Sequence, residues 1–208
     1  ASSSHTWSTY AFTSTGSMTL NATAGMPIYF TSQTSSGSTS TERWAVLSTI
    51  ITTSAQNTTY TVTEYNQYTL TFDYAVQDGG SGYSAPTLSY TSFGSAQTLT
   101  LSTTGQTVWA DVNTGWSVTN PLGGSTSSER WYTPTASGTV TGSMTTTFIY
   151  YNQYYITVSY AVVDGGTGYS APTLTYYSTG TQATLTLSTS AQSLWADANS
   201  WSVTNPLS

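Results

Sequence analysis

The sequence predicts an all-β fold: two tandem immunoglobulin-like β-sandwiches with an N-terminal donor strand. Three observations predict it: a long internal repeat, period-two alternation of apolar and polar residues, and turn-forming clusters between the alternating runs. The repeat runs over 65–122 and again over 151–207. The first copy carries YNQY at 65–68, DGG at 78–80, SAPTL at 84–88, WAD at 109–111 and WSVTNPL at 116–122. The second carries YNQY at 151–154, DGG at 164–166, SAPTL at 170–174, WAD at 195–197 and WSVTNPL at 201–207. An offset of about 86 residues is the size of a domain and too long for a solenoid repeat.

Each element follows from local pattern. Tyr68, Leu70, Phe72, Tyr74 and Val76 alternate with Thr69, Thr71, Asp73 and Ala75, which marks a strand with one buried face. Tyr154, Ile156, Val158, Tyr160 and Val162 repeat the pattern in the second copy. The Asp-Gly-Gly segments at 78–80 and 164–166 supply turns. Leu88 with Tyr90, Leu99 with Leu101, and Val108 begin shorter strands, matched by Leu174 with Tyr176, Leu185 with Leu187, and Leu194. Short strands separated by Gly, Pro and Ser clusters indicate a sandwich. Pro27 places 19–30 at a sheet edge or a strand start, and 31–41 reads as a loop. Gly123-Gly124, between the copies, is the expected hinge. The expected divisions are a donor strand at 1–19, a first sandwich at 20–124 and a second at 125–208.

Composition narrows function. Charged residues are 5% of 208, the net charge is −6, and Arg43 and Arg130 are the only Lys or Arg. Nucleic acid is excluded as a partner, because phosphate binding needs clustered cations. No run of 18 apolar residues is present, so no membrane span is expected in the mature chain. Ser and Thr exceed a third of the chain, yet aromatics reach 14%, which separates it from disordered sequences. Cysteine is absent, so neither disulfides nor thiol redox chemistry enters. Few carboxylates are available to be lost on protonation, a pattern suited to acid surroundings. Secretion through a signal peptide since removed is expected.

The strand inventory carries the functional expectation. Ser4-His5-Thr6-Trp7 matches Ser128-Glu129-Arg130-Trp131, and Gly16-Ser17-Met18-Thr19 matches 142–145. A third relative is STSTERW at 38–44. Three Trp-bearing strands thus accompany two repeat cores. If residues 125–145 close the first copy after its NPL segment, the second copy, ending after its own NPL, lacks a closing strand. An open sheet edge is a template for another chain. The expectation is strand donation in trans, with Trp7 as anchor and Tyr10 and Phe12 beside it. The acceptor groove is expected near Tyr154, Ile156, Val158, Trp195 and Trp201 of the second domain. A contact of this kind does not close on itself and yields a filament. The alternative is that Trp131 opens the second domain, both cores are complete, and residues 1–19 form an ordinary first strand or a floppy terminus.

The segments YNQYYITVSYAV, SAPTLTYYSTG, WAD and NPLGGSTSSERW resemble repeat modules of surface and secreted proteins of thermoacidophilic archaea. The two-module layout with a free N-terminal strand is similar to the subunit of the archaeal thread, a pilus-like surface filament. The resemblance spans essentially the whole chain. It implies an extracellular homopolymer, joined by N-terminal strand donation, glycosylated and serving attachment. The module motifs also occur in other secreted proteins of that lineage, some beside acid proteases. A monomeric immunoglobulin-like surface module, sugar-binding or a spacer in an S-layer, is the rival expectation.

Asn21-Ala22-Thr23 and Asn57-Thr58-Thr59 are N-glycosylation sequons, making N-linked glycans expected partners. No catalytic, cofactor or metal site is expected. A pepsin-type site needs paired Asp-Thr-Gly loops, but the nearest match, Asn113-Thr114-Gly115, has Asn in place of the acid. His5 is the one His, which leaves no His-based triad or zinc site. Asp78, Asp164, Asp111 and Asp197 recur in both copies and are expected in turns and caps. Glu42-Arg43 and Glu129-Arg130 are strand neighbours on opposite faces, so each Arg is expected to meet a carboxylate on an adjacent strand.

Overall fold

A computed structural model describes residues 25–30, 37–47, 49–52 and 61–205. The fold is all-β, with no helix among the described residues. The first copy is built on β4 (Glu64–Gln77), whose alternating residues put Leu70 and Phe72 in the core. An opposing sheet carries β5 (Thr87–Ser92), β6 (Ser95–Thr100) and β8 (Gly115–Val118). Leu88, Trp116 and Val118 from that sheet meet Leu70 and Phe72 across one apolar cluster. The strand β7 (Gln106–Asp111) lies along one edge of β4, with Leu70 opposite Val108.

The other edge of β4 is covered in two pieces. Its first residues pair with β2 (Glu42–Val46), Gln67 opposite Arg43. Its later residues pair in parallel with the first half of β11 (Met144–Val158), from Leu70 opposite Met144 to Gln77 opposite Tyr151. Between these in sequence lie β9 (Glu129–Tyr132) and β10 (Ser137–Thr139), the latter paired with β8. The residues after the first NPL therefore complete the first copy. Trp131, Val140, Phe148 and Tyr150 all lie in its core cluster. Phe72, Trp116 and Phe148 form a three-ring contact with centroids 5.1–5.6 Å apart. The sequence repeat divides the chain at 124 and 125, whereas core packing carries the first unit on through Tyr150.

Gly123-Gly124 is a tight turn here. The Ser84 amide donates to the Gly123 carbonyl at 2.8 Å, and a Cβ on Gly124 would collide with the Gly82 carbonyl. The expected hinge is thereby replaced by a packed corner. A second difference concerns strand length. The predicted run to Val162 stops at Val158, while its counterpart in the first copy continues to Gln77. The reason is pairing: Asp73–Gln77 have β11 beside them, and 159–163 have no ladder partner among the described residues.

In the second copy, β14 (Gln192–Asp197) and β9 flank β11, while β12 (Thr173–Ser178) pairs with β13 (Thr181–Thr186) and with β15 (Ser202–Val203). Near the other end, β1 (Pro27–Phe30) pairs with β3 (Thr49–Thr52), and Pro27 starts its strand as its missing N–H requires.

Trp131 is 2% exposed and joins the residues after the first NPL to the first core. Trp131→Ala is expected to cost about 3–5 kcal/mol in equilibrium urea unfolding, the usual range for truncating a buried aromatic.

Candidate functional site

Three repeated motifs interlock in the same way in each copy. Arg43 Nε donates to Gln67 Oε1 at 2.9 Å, and Arg130 Nε donates to Gln153 Oε1 at 2.8 Å. Each Gln donates onward to a buried carboxylate, Gln67 to Asp111 at 2.7 Å and Gln153 to Asp197 at 2.8 Å. Asp111 also accepts from the amides of Phe93 and Gly94, and Asp197 from those of Thr179 and Gly180. These bonds hold Phe93 and Thr179 at φ 52°, a left-handed conformation uncommon for such residues. Asn66 and Asn152 donate to Glu42 and Glu129. The Arg side chains thus reach amides first and carboxylates one step further on, because YNQY places Asn and Gln where the carboxylates were expected.

Both guanidinium groups also stack on rings. Arg43 lies 4.4 Å from the Trp109 centroid, and Arg130 lies 4.3 Å from those of Trp195 and Tyr132. Burial lowers both Arg pKa values, though nearby Asp111 opposes the shift at Arg43 and Tyr132 opposes it at Arg130. Partial burial strengthens the cation–π contact.

The copies differ where the first is closed. Trp116 is 5% exposed and its counterpart Trp201 is 72% exposed. Val118 is 6% exposed against 39% for Val203. Leu70 and Phe72 are fully buried, while Ile156 and Val158 are only half-buried. Phe148 and Gly138 cover Trp116 in the first copy, and both come from the residues after its NPL. Among the described residues, the second copy has no such cover.

Of the expected groove residues, Tyr154, Ile156 and Val158 share a face of β11 by their spacing. Their counterparts Tyr68, Leu70 and Phe72 are part of, or packed on, the first core. Trp201 corresponds to core residue Trp116. Trp195 is on the opposite face: it pairs with Tyr155, its ring lies 5.2 Å from that residue's ring, and Arg130 stacks on it. It therefore supports the network and does not line the groove with the others. Trp7, Tyr10, Phe12, Asn21 and Asn57 lie outside the described residues. Val163, Tyr169 and Val203, which the expected groove omits, are exposed, and so is Val162, expected on the buried face of its strand. Comparing each with its counterpart in the first copy would have found them.

The carboxylate turns fall as expected, with Asp78 at φ 63° and Asp164 at φ 64°. Comparison with family models, curated proteins and solved structures returns no match.

Asp78 accepts from Asn199 Nδ2 at 3.4 Å, linking the two copies. Burial, and then the nearby Asp197 charge, raises its pKa, with the Asn199 hydrogen bond opposing. The native state therefore holds the Asp78 proton more tightly than the unfolded chain does. Stability from this group is present below the ordinary carboxylate pKa and is lost as pH rises through the raised folded value. Asp78→Asn is expected to melt above wild type at pH 7 and level with it at pH 2. Because the group is largely solvated, the gain should be under about 1 kcal/mol. Thermal unfolding at the two pH values checks it.

Proposed function

We propose that this chain is a structural, non-enzymatic subunit of an extracellular pilus-like filament. Two tandem immunoglobulin-like sandwiches polymerise head to tail, the N-terminal strand of one copy entering the second sandwich of the next. The observation that carries this reading is where apolar surface is left exposed. The exposed large hydrophobic residues are Met26, Tyr29, Leu47 and Ile50 near one end of the chain, and a set from Tyr154 to Val203 near the other. Among the described residues none falls between, where the first copy is closed on itself. Exposed apolar side chains gathered in one region mark interaction surfaces. Two unlike sets of them, near opposite ends of the sequence, suit a heterologous, non-closing contact.

The donor in this reading is 1–19, with Trp7, Tyr10 and Phe12 facing Tyr154, Ile156, Val158 and Trp201. Burying each large apolar side chain contributes roughly 1.5–3 kcal/mol, and the backbone ladder adds directionality. N-linked glycans at Asn21 and Asn57, a place on the cell surface and a role in adhesion complete the proposal.

Deleting residues 1–19 is expected to convert a polymer into monomers, seen by electron microscopy and sedimentation. Filaments that survive the deletion would contradict strand donation by that segment. A wild-type chain that stays monomeric at high concentration would instead support the spacer reading.

A further inference from the structure

Trp131 occupies a built seat in the first copy. Its Nε1 donates to the Gly79 carbonyl at 3.2 Å, and its ring lies 5.4 Å from that of Tyr83 at 52°. The floor is Gly80, where a Cβ would lie 2.8 Å from Trp131 Cζ2. The amide of Leu122 donates to the Trp131 carbonyl, and the Asn120 side chain clamps the backbone of Thr133 from both sides. The DGG turn, the following Tyr and the NPL motif are thus the parts of one socket.

The second copy repeats these parts as Gly165, Gly166, Tyr169 and Asn205. Gly165 and Gly166 keep positive φ, 77° and 115°, as Gly79 and Gly80 do at 78° and 86°. Yet nothing lies within 4 Å of a Cβ placed on Gly166, and Tyr169 is 40% exposed. We infer that Gly165, Gly166 and Tyr169 form a tryptophan socket that receives Trp7 of a second copy. The inference rests on the proposed strand donation and names its anchoring site.

The choice of Trp7 follows from what the other two Trp-bearing strands do. In β9 the Trp and the Glu-Arg pair have separate tasks. Trp131 enters the preceding copy, while Glu129 and Arg130 bind Asn152 and Gln153 of the following one. In β2, Glu42 and Arg43 already engage Asn66 and Gln67. A third strand finds no such Asn-Gln pair among the described residues without a Glu-Arg partner. The tail has His5-Thr6 there and keeps the Trp, and it keeps Thr9 where Asn120 clamps Thr133. It also keeps Gly-Ser-Met-Thr at 16–19, the counterpart of the start of β11, which the residues after Trp44 lack.

The absence of cysteine makes the test free of background. Full-length chains carrying Trp7→Cys with Tyr169→Cys are concentrated until they assemble, oxidised, and run on a non-reducing gel beside Trp44→Cys with Tyr169→Cys at the same concentration. A ladder of covalent oligomers from the first pair alone is expected. Separately, Tyr169→Ala and Trp7→Ala should each raise the concentration needed for assembly at least tenfold, with monomer melting unchanged. A ladder from the Trp44 pair, or a cross-link confined to monomers, overturns the assignment. Filaments of the first pair that form without cross-linking, or assembly unaffected by either Ala substitution, overturn it too, and leave the filament reading standing. Absence of filaments from wild type removes both.

Discussion

The facing sheets that bear Phe72 and Trp116 are stable in water only when something closes the space around these rings. That constraint governs this molecule. The first copy meets it with chain that follows its own last strand: Phe148 and Gly138 against Trp116, Trp131 against Gly80, and Asn120 gripping the backbone between them. The second copy has the same elements up to its last strand and leaves Trp201 in solvent. Truncating or exposing such aromatic side chains costs several kcal/mol, a large fraction of the net stability of a small domain. With Trp201 in solvent, the second copy is the weaker half of the chain, and covering that face would stabilise it.

The sparse charges are concentrated where geometry is most demanding. Arg43 and Arg130, in equivalent positions, each combine a hydrogen bond to a Gln with stacking on aromatic rings. Asp111 and Asp197 accept three hydrogen bonds each and fix the turns at Gly94 and Gly180. YNQY, ERW and WAD are conspicuous as separate words in the sequence. In space they are one polar relay per copy, and each word is required by the others.

The all-β class, the strand alternation and the turns were legible because each depends on neighbours a few residues apart. The strand starting at Pro27 and the role of the Asp-Gly-Gly turns were equally local. What escaped depends on pairing between distant segments. The length of β4 is set by β11, so identical alternation gave a strand to Gln77 in one copy and only to Val158 in the other. The amide partners of the Arg residues required knowing that YNQY lies opposite ERW. Trp195 is expected from sequence near the groove, while the register opposite Tyr155 turns it to the other face of β11 from Tyr154. Gly166 reads as a turn residue and Tyr169 has no role in the local pattern, and only the seating of Trp131 against Gly80 and Tyr83 gives them another meaning.

The strand β11 belongs to both copies: its first half lies beside β4 and its second half beside β14. The two bodies therefore share a backbone spine in place of a slack tether. Tension applied at opposite ends of the chain would draw β4 and β11 past one another along their length. Parallel strands pulled this way are loaded in shear, so their cross-strand bonds resist collectively and do not peel open one after another.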